Sequence, residues 1–255
     1  MDARLIAFER LLNIMDDLRE KCPWDKKQTL ESLRHLTIEE TYELAEAILD
    51  NDLEELKGEI GDLMLHMVFY SKIASEKGAF DITDVLNAIC DKLVHRHPHI
   101  YGDVVAEDEA TVKANWEKLK LKEGKKSVLQ GVPKSLPSLV KAARIQEKVK
   151  GIGFDWDDSK QVLAKVHEEL AELEVEVTNE TDQIEQEFGD VLFSMINYAR
   201  FIGVNPETAL ERTNKKFINR FQFMEEKMTE EGKTFDEMNL VQMDVYWEQA
   251  KKTVG

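Results

Sequence analysis

Glycine (12 residues), proline (5) and cysteine (2) are scarce in this 255-residue chain. No apolar run approaches the ~20 residues needed to span a bilayer. With few turn residues and almost no period-two alternation of β-branched residues, a β-rich fold is excluded. Cys22 and Cys90 have no metal-ligand spacing and form no disulfide framework, so a reducing cytoplasm is the expected compartment. The acidic residues in "MDARLIAFERLL" and the lack of an apolar core there predict no cleavable signal peptide. Basic charge is also in deficit: 34 Lys and Arg face 51 Asp and Glu, a formal charge of −17. That field repels nucleic acid and anionic membranes, so neither is expected as a partner, although a small basic site for an anionic ligand is still allowed.

What is present is helical spacing. Leu5, Phe8, Leu11, Leu12, Met15 and Leu18 recur at three- and four-residue intervals, and the same period runs through most of the chain, predicting an all-α fold. The chain also repeats itself. "EETYELAEAI" at Glu39 returns as "EELAELEVEV" at Glu168, and "EIGDLMLHMVFYSKIA" at Glu59 as "EFGDVLFSMINYARFI" at Glu187. "PWDKKQ" (Pro23–Gln28) has its counterpart in "FDWDDSKQ" (Phe154–Gln161), and "NWEKLK" (Asn115–Lys120) in "YWEQAK" (Tyr246–Lys251). Between the copies, "LKEGKKSVLQGVPKSLPSL" contains helix-stopping Gly and Pro residues. Two tandem helical domains are therefore expected, at residues 1–120 and 139–255, joined by a linker at 121–138.

Each copy carries Glu-Glu-x-x-Glu followed by Glu-x-x-Asp. Residues three or four apart share a helix face, so Glu40 and Glu43 align on one helix and Glu59 and Asp62 on the next, with Asp50–Asp52 as the turn. In the second copy the set is Glu169, Glu172, Glu187 and Asp190, with Thr178–Asp182 at the turn. Such spacing is common on solvated faces. Paired, repeated and followed by the apolar runs "LMLHMVFY" and "VLFSMINY", it points instead to converging carboxylates. Converging like charges raise one another's pKa unless a cation neutralises them. A hard divalent ion such as Mg²⁺, with Mn²⁺ as a substitute, suits oxygen ligands and phosphate.

Taken together, "HLTIEETYELAEAI…ELKGEIGDLMLHMVF", "RHPHIYGD", "GVPKSLPSL" and "GFDW" resemble the MazG family of nucleoside triphosphate pyrophosphohydrolases along essentially the whole chain. The resemblance implies an all-α homodimer that cleaves nucleoside triphosphates to the monophosphate and pyrophosphate with Mg²⁺. It also implies that the C-terminal domain is the main catalyst. The expected reaction is metal-assisted attack of water on a phosphoanhydride, with Glu168 and Glu39, the first acid of each motif, as proton acceptors. Lys216 and Arg220 lie one helical turn apart and match the family's phosphate-binding pair; Lys92 and Arg96 are the first-copy pair. Trp247 matches a nucleotide-holding position, and Trp156 is a weaker candidate for the base pocket. Trp24 and Trp116 are the first-half counterparts of these tryptophans.

His95, His97 and His99 straddle Pro98 and are expected to cap or pack rather than bind zinc, and His66 is expected in the core. No Glu precedes a His by three residues, which argues against a di-iron bundle. A non-enzymatic acidic scaffold, and a hydrolase restricted to damaged nucleotides or alarmones, are the remaining alternatives.

Overall fold

The computed structural model describes residues 2–102, 112 and 127–254, and among them there are ten α-helices and no strands. The chain divides into two compact units, Met1–Ala106 and Glu107–Gly255. Asn115–Lys120, with Trp116, and the first six residues of the expected linker lie outside the described residues. The rest of that linker turns at Gly131 (φ 93°) and ends at Pro137.

The first unit contains α1 (Ala3–Lys21), a 3₁₀ turn (Asp25–Lys27), α2 (Leu30–Asp50), α3 (Leu53–Glu76), α4 (Ile82–Arg96) and the short α5 (Pro98–Tyr101). Thr29 and Ser32 form a capping box at the start of α2, and the Asp52 carboxylate accepts from the Glu54 and Glu55 amides at the start of α3. These caps satisfy amides that no helical carbonyl can reach. The expected Asp-Asn-Asp turn is present: Asn51 takes the left-handed conformation (φ 55°), and α2 and α3 fold into a hairpin. Met15, Leu33, Val68, Phe69 and Ile73 form its core.

The second unit contains α6 (Ser138–Lys150), α7 (Ser159–Thr178), α8 (Ile184–Phe201), α9 (Pro206–Glu230), a 3₁₀ turn (Phe235–Glu237) and α10 (Leu240–Thr253). The α7–α8 hairpin repeats α2–α3 across a longer turn in which Glu180 adopts φ 49°. Val162 occupies the place of Leu33 in the repeat, and both are fully buried. Met224, Met228, Tyr246 and Ala250 join α9 to α10.

The copies differ in length after the acids. Three of the four residues by which Asp62–Lys92 exceeds Asp190–Lys216 lengthen α3, and one lengthens the following turn. Lys92 and Lys216 then each stand ten residues beyond their helix start, and Arg96 and Arg220 each fourteen.

Candidate metal and phosphate site

The two hairpins each gather carboxylates. Glu40, Glu43 and Glu59 offer oxygens that all lie within 4.8 Å of one another, and so do Glu169, Glu187 and Asp190. Asp62 and Glu172 fall outside these tightest groups but act on them: Asp62 raises the pKa of Glu40 and Glu59, and Glu172 that of Glu187. Glu59 and Glu169 are buried, whereas Glu43, Asp62, Glu172 and Asp190 are exposed. Each cluster therefore has a buried floor and an open rim. Glu39 and Glu168 are exposed on the flank.

Burial is the main cause that pushes the Glu59 carboxyl above the ordinary range, followed by the charges of Glu43 and Glu40. Burial also leads for Glu40, then Asp62 and Glu43, and for Glu187, then Glu172 and Asp190. The Glu59 Oε2 atom is buried without a hydrogen-bond partner. A floor of unpaired carboxylate oxygen, with no His or Cys in either group, fits a hard divalent cation held by oxygen ligands.

This has a consequence for stability. A raised carboxylate stays protonated in the folded protein after the unfolded chain has released its proton, so its stabilisation is complete at low pH and is lost as pH rises through the folded value. The melting temperature of metal-free protein is expected to fall upward from pH 4.5, the ordinary glutamate value, and Mg²⁺ to restore it most near neutrality. Carboxylates held low by cations, such as Glu76 beside Arg19, act below this window. A flat or rising melting curve in EDTA across the window overturns the expectation.

One charged side chain beside the second cluster goes unmarked by the sequence motifs. The Lys165 ammonium lies 2.7 Å from both Glu168 Oε1 and Glu169 Oε1, one turn back on α7, and these two acids raise its pKa. A lysine three and four residues before two glutamates on one helix is the signal that reveals it. The repeat places Leu36 there in the first unit, packed against the core.

The basic pairs are spaced differently from the acids in the two units. Gly203 (φ 72°) lies in the short Ile202–Asn205 turn that reverses the chain, and α9 packs against α8 and α6. Counted back from that turn at 1.5 Å per residue, Lys216 and Arg220 stand about 15 and 21 Å along α9, and Asp190 and Glu187 about 17 and 21 Å along α8. In the first unit, Lys92 and Arg96 again stand about 15 and 21 Å along α4, but Asp62 and Glu59 stand about 21 and 26 Å along the longer α3. By this count Lys92 and Arg96 match their acids less closely in distance from the turn than Lys216 and Arg220 do.

Lys216 is exposed and Arg220 is half-buried, with Arg220 Nε buried and unpartnered. Its guanidinium carbon lies 6.0 Å from the centroid of the Trp247 ring, which in turn is 5.0 Å from that of Phe217. Trp156 is 46 % exposed. Its neighbour Asp155 is bound by Arg200, Nη1 to Oδ2 at 2.9 Å. Arg200 is ten residues beyond Asp190, so this loop is anchored about 15 Å along α8 from the acids.

His66 is in the core, as expected. His66 is buried, with Nδ1 3.1 Å from Thr37 Oγ1, and burial lowers its pKa. α4 stops before Pro98, and His97 Nδ1 lies 2.6 Å from the Leu93 carbonyl.

Comparison with known proteins identifies this arrangement. The family model for the MazG nucleotide pyrophosphohydrolase domain matches residues 28–101 and 157–223, the two acid-bearing stretches. The chain is 43 % identical over 251 residues to the nucleoside triphosphate pyrophosphohydrolase/pyrophosphatase MazG of Thermotoga maritima, covering 96 % of each chain. It is 40 % identical over 255 residues to the nucleoside triphosphate pyrophosphohydrolase of Escherichia coli K12, covering 96 % of this chain and 97 % of that one. The match to YabN of Bacillus subtilis, 44 % identical over 253 residues, takes in 52 % of that longer protein. With both hairpins matched by the family model and nearly full-length relatives on either side, the chain belongs to the MazG nucleotide pyrophosphohydrolase family.

Proposed function

We propose that this hydrolase cleaves nucleoside triphosphates, ribo or deoxy, to the monophosphate and pyrophosphate, with Mg²⁺ (or Mn²⁺) and chiefly in its C-terminal unit. The names of its relatives support the substrate class. The observation that carries the choice of unit is Arg220, whose Nε is buried and unpartnered and whose guanidinium carbon lies 6.0 Å from the centroid of the Trp247 ring.

The roles follow from the chemistry of each side chain. Glu169, Glu172, Glu187 and Asp190 hold the cation, which when bound supplies charge neutralisation and Lewis acidity toward phosphate oxygens and water. Arg220 presents a planar fork and Lys216 a point charge to the phosphates. Glu168 accepts the proton of the attacking water; Lys165 binds its Oε1 and leaves the other oxygen available. Trp247 offers a π face to the base. Trp156, 15 Å along α8, serves a more distant part of the ligand. In the first unit, Glu40, Glu43, Glu59 and Asp62 hold a cation, with Glu39, Lys92 and Arg96 as the weaker counterparts of the catalytic set.

A homodimer is part of the proposal. Ile60, Met64 and Met67 on α3, and Phe188, Leu192 and Met195 on α8, form exposed apolar stripes at helical spacing. Stripes of this kind mark contact surfaces. No helix among the described residues is long and apolar enough to cross a membrane. The domain limits remain 1–120 and 139–255 around the 121–138 linker.

The direct test is a panel of NTPs and dNTPs with Mg²⁺, assayed for pyrophosphate against orthophosphate. Pyrophosphate in equal amount to monophosphate is expected. Orthophosphate as the main product, or no Mg²⁺-dependent binding of a non-hydrolysable triphosphate by calorimetry, overturns the proposal.

A further inference from the structure

The two carboxylate clusters are matched in acids and unmatched in counter-ions. In the second unit the buried Glu169 already has a cation, since Lys165 sits 2.7 Å from its Oε1 with 35 % of the lysine side chain exposed. In the first unit the same helical position is Leu36, and Glu40, Glu43 and Glu59 make no ion pair with any Lys or Arg among the described residues. Glu59 is 7 % exposed, and its Oε2 is buried with no partner while its carboxylate meets those of Glu40 and Glu43. An uncompensated buried carboxylate oxygen is far more costly than a paired one. The first cluster therefore has an unmet need for positive charge that the second has met in part, at Glu169.

We infer that the N-terminal unit holds a divalent cation as a resident ion in the absence of nucleotide, whereas the C-terminal unit takes its cation only together with the triphosphate. At the second cluster a bare cation must displace Lys165 from a half-buried double ion pair, losing much of its own gain. A cation arriving on a triphosphate brings oxygen ligands and charge with it, and so overcomes that competition. At the first cluster no lysine or arginine among the described residues competes. The role of this resident ion is to hold α2 against α3, the two helices that carry Glu40, Glu43 and Glu59. The inference rests on the proposed function above only in assigning cations to the clusters.

The test uses the full chain, stripped of metal and free of nucleotide, with Mn²⁺ alone as the probe and the free ion counted by electron paramagnetic resonance. Wild type is expected to bind about one Mn²⁺ per chain tightly, Glu59→Gln to lose that site by at least about tenfold in affinity, and Lys165→Met to gain a second. Leu36→Lys, with far-UV circular dichroism to verify folding, is expected to weaken the first site by a similar factor. Two equal sites in wild type, a single site removed by Asp190→Asn instead of Glu59→Gln, or no effect of Lys165→Met overturns the inference. Adding a non-hydrolysable triphosphate separates the two levels. Absence of any Mn²⁺ uptake even then removes the metal reading itself, whereas uptake at both clusters only with the triphosphate removes the resident ion alone.

Discussion

The double variant Glu172→Ala, Asp190→Ala is expected to lose triphosphate cleavage by at least about 10³-fold while keeping its helical circular dichroism spectrum. Both side chains lie on the exposed rim of the second cluster and contribute nothing to the buried core. Their loss leaves Glu169 and Glu187, too few charges to hold a cation against the triphosphate's own affinity for it in solution. Stability should move the other way. Burial first, then the charges of Glu172 and Asp190, hold the Glu187 carboxyl above its ordinary range. Removing both neighbours relieves that repulsion, so the metal-free variant should melt at or above the wild-type temperature near neutral pH. The matched variant of the first unit, Glu43→Ala with Asp62→Ala, should retain most turnover. Full activity in the C-terminal variant refutes the assignment of catalysis to that unit, and its loss in the N-terminal variant instead relocates it.

Much of this arrangement is legible in the sequence because it is local. Helical spacing, the Asp-Asn-Asp turn and the positions of the eight acids proposed to hold metal all follow from residues within a few turns of one another. The 129- and 128-residue offsets between the copies show that the motif occurs twice. Lys165 was equally local, three and four residues before Glu168 and Glu169, and was findable by the same spacing rule. Other features depend on packing. Glu59 on α3 and Glu169 on α7 become buried floors, while Glu43 on α2 and Glu172, three residues beyond Glu169 on α7, remain at the rim, because burial depends on how each hairpin closes. The apolar runs after Asp62 and Asp190 suggested internal helices, yet Met64, Met67, Leu192 and Met195 are exposed; only one side of each run faces its own unit. Residue counting between Asp62 and Lys92 revealed a four-residue excess but not its location. It falls mostly inside α3, which the spacing alone could not say.

Arg220 provides the other large effect. Its Nε is buried and unpartnered, and its guanidinium lies 6.0 Å from the centroid of the Trp247 ring, with Glu248 on the next helix close enough for Arg220 to lower that acid's pKa. An arginine that leaves a buried donor unpaired in the free protein is preorganised for an anion that supplies the missing acceptor. Arg220→Ala is therefore expected to lower kcat/KM for triphosphates by about 10²–10³-fold. Arg220→Lys should recover only a small part of this, because a lysine restores the charge without the planar fork and without stacking beside the indole. A site that needed net charge alone would respond differently: lysine would rescue it, and raised ionic strength would weaken wild type and the lysine variant alike. Among the described residues the side chain makes no hydrogen bond that holds the fold together, so melting temperatures should change little in either variant. Near-complete rescue by lysine removes the bidentate role and reduces Arg220 to one more positive charge in an acidic protein.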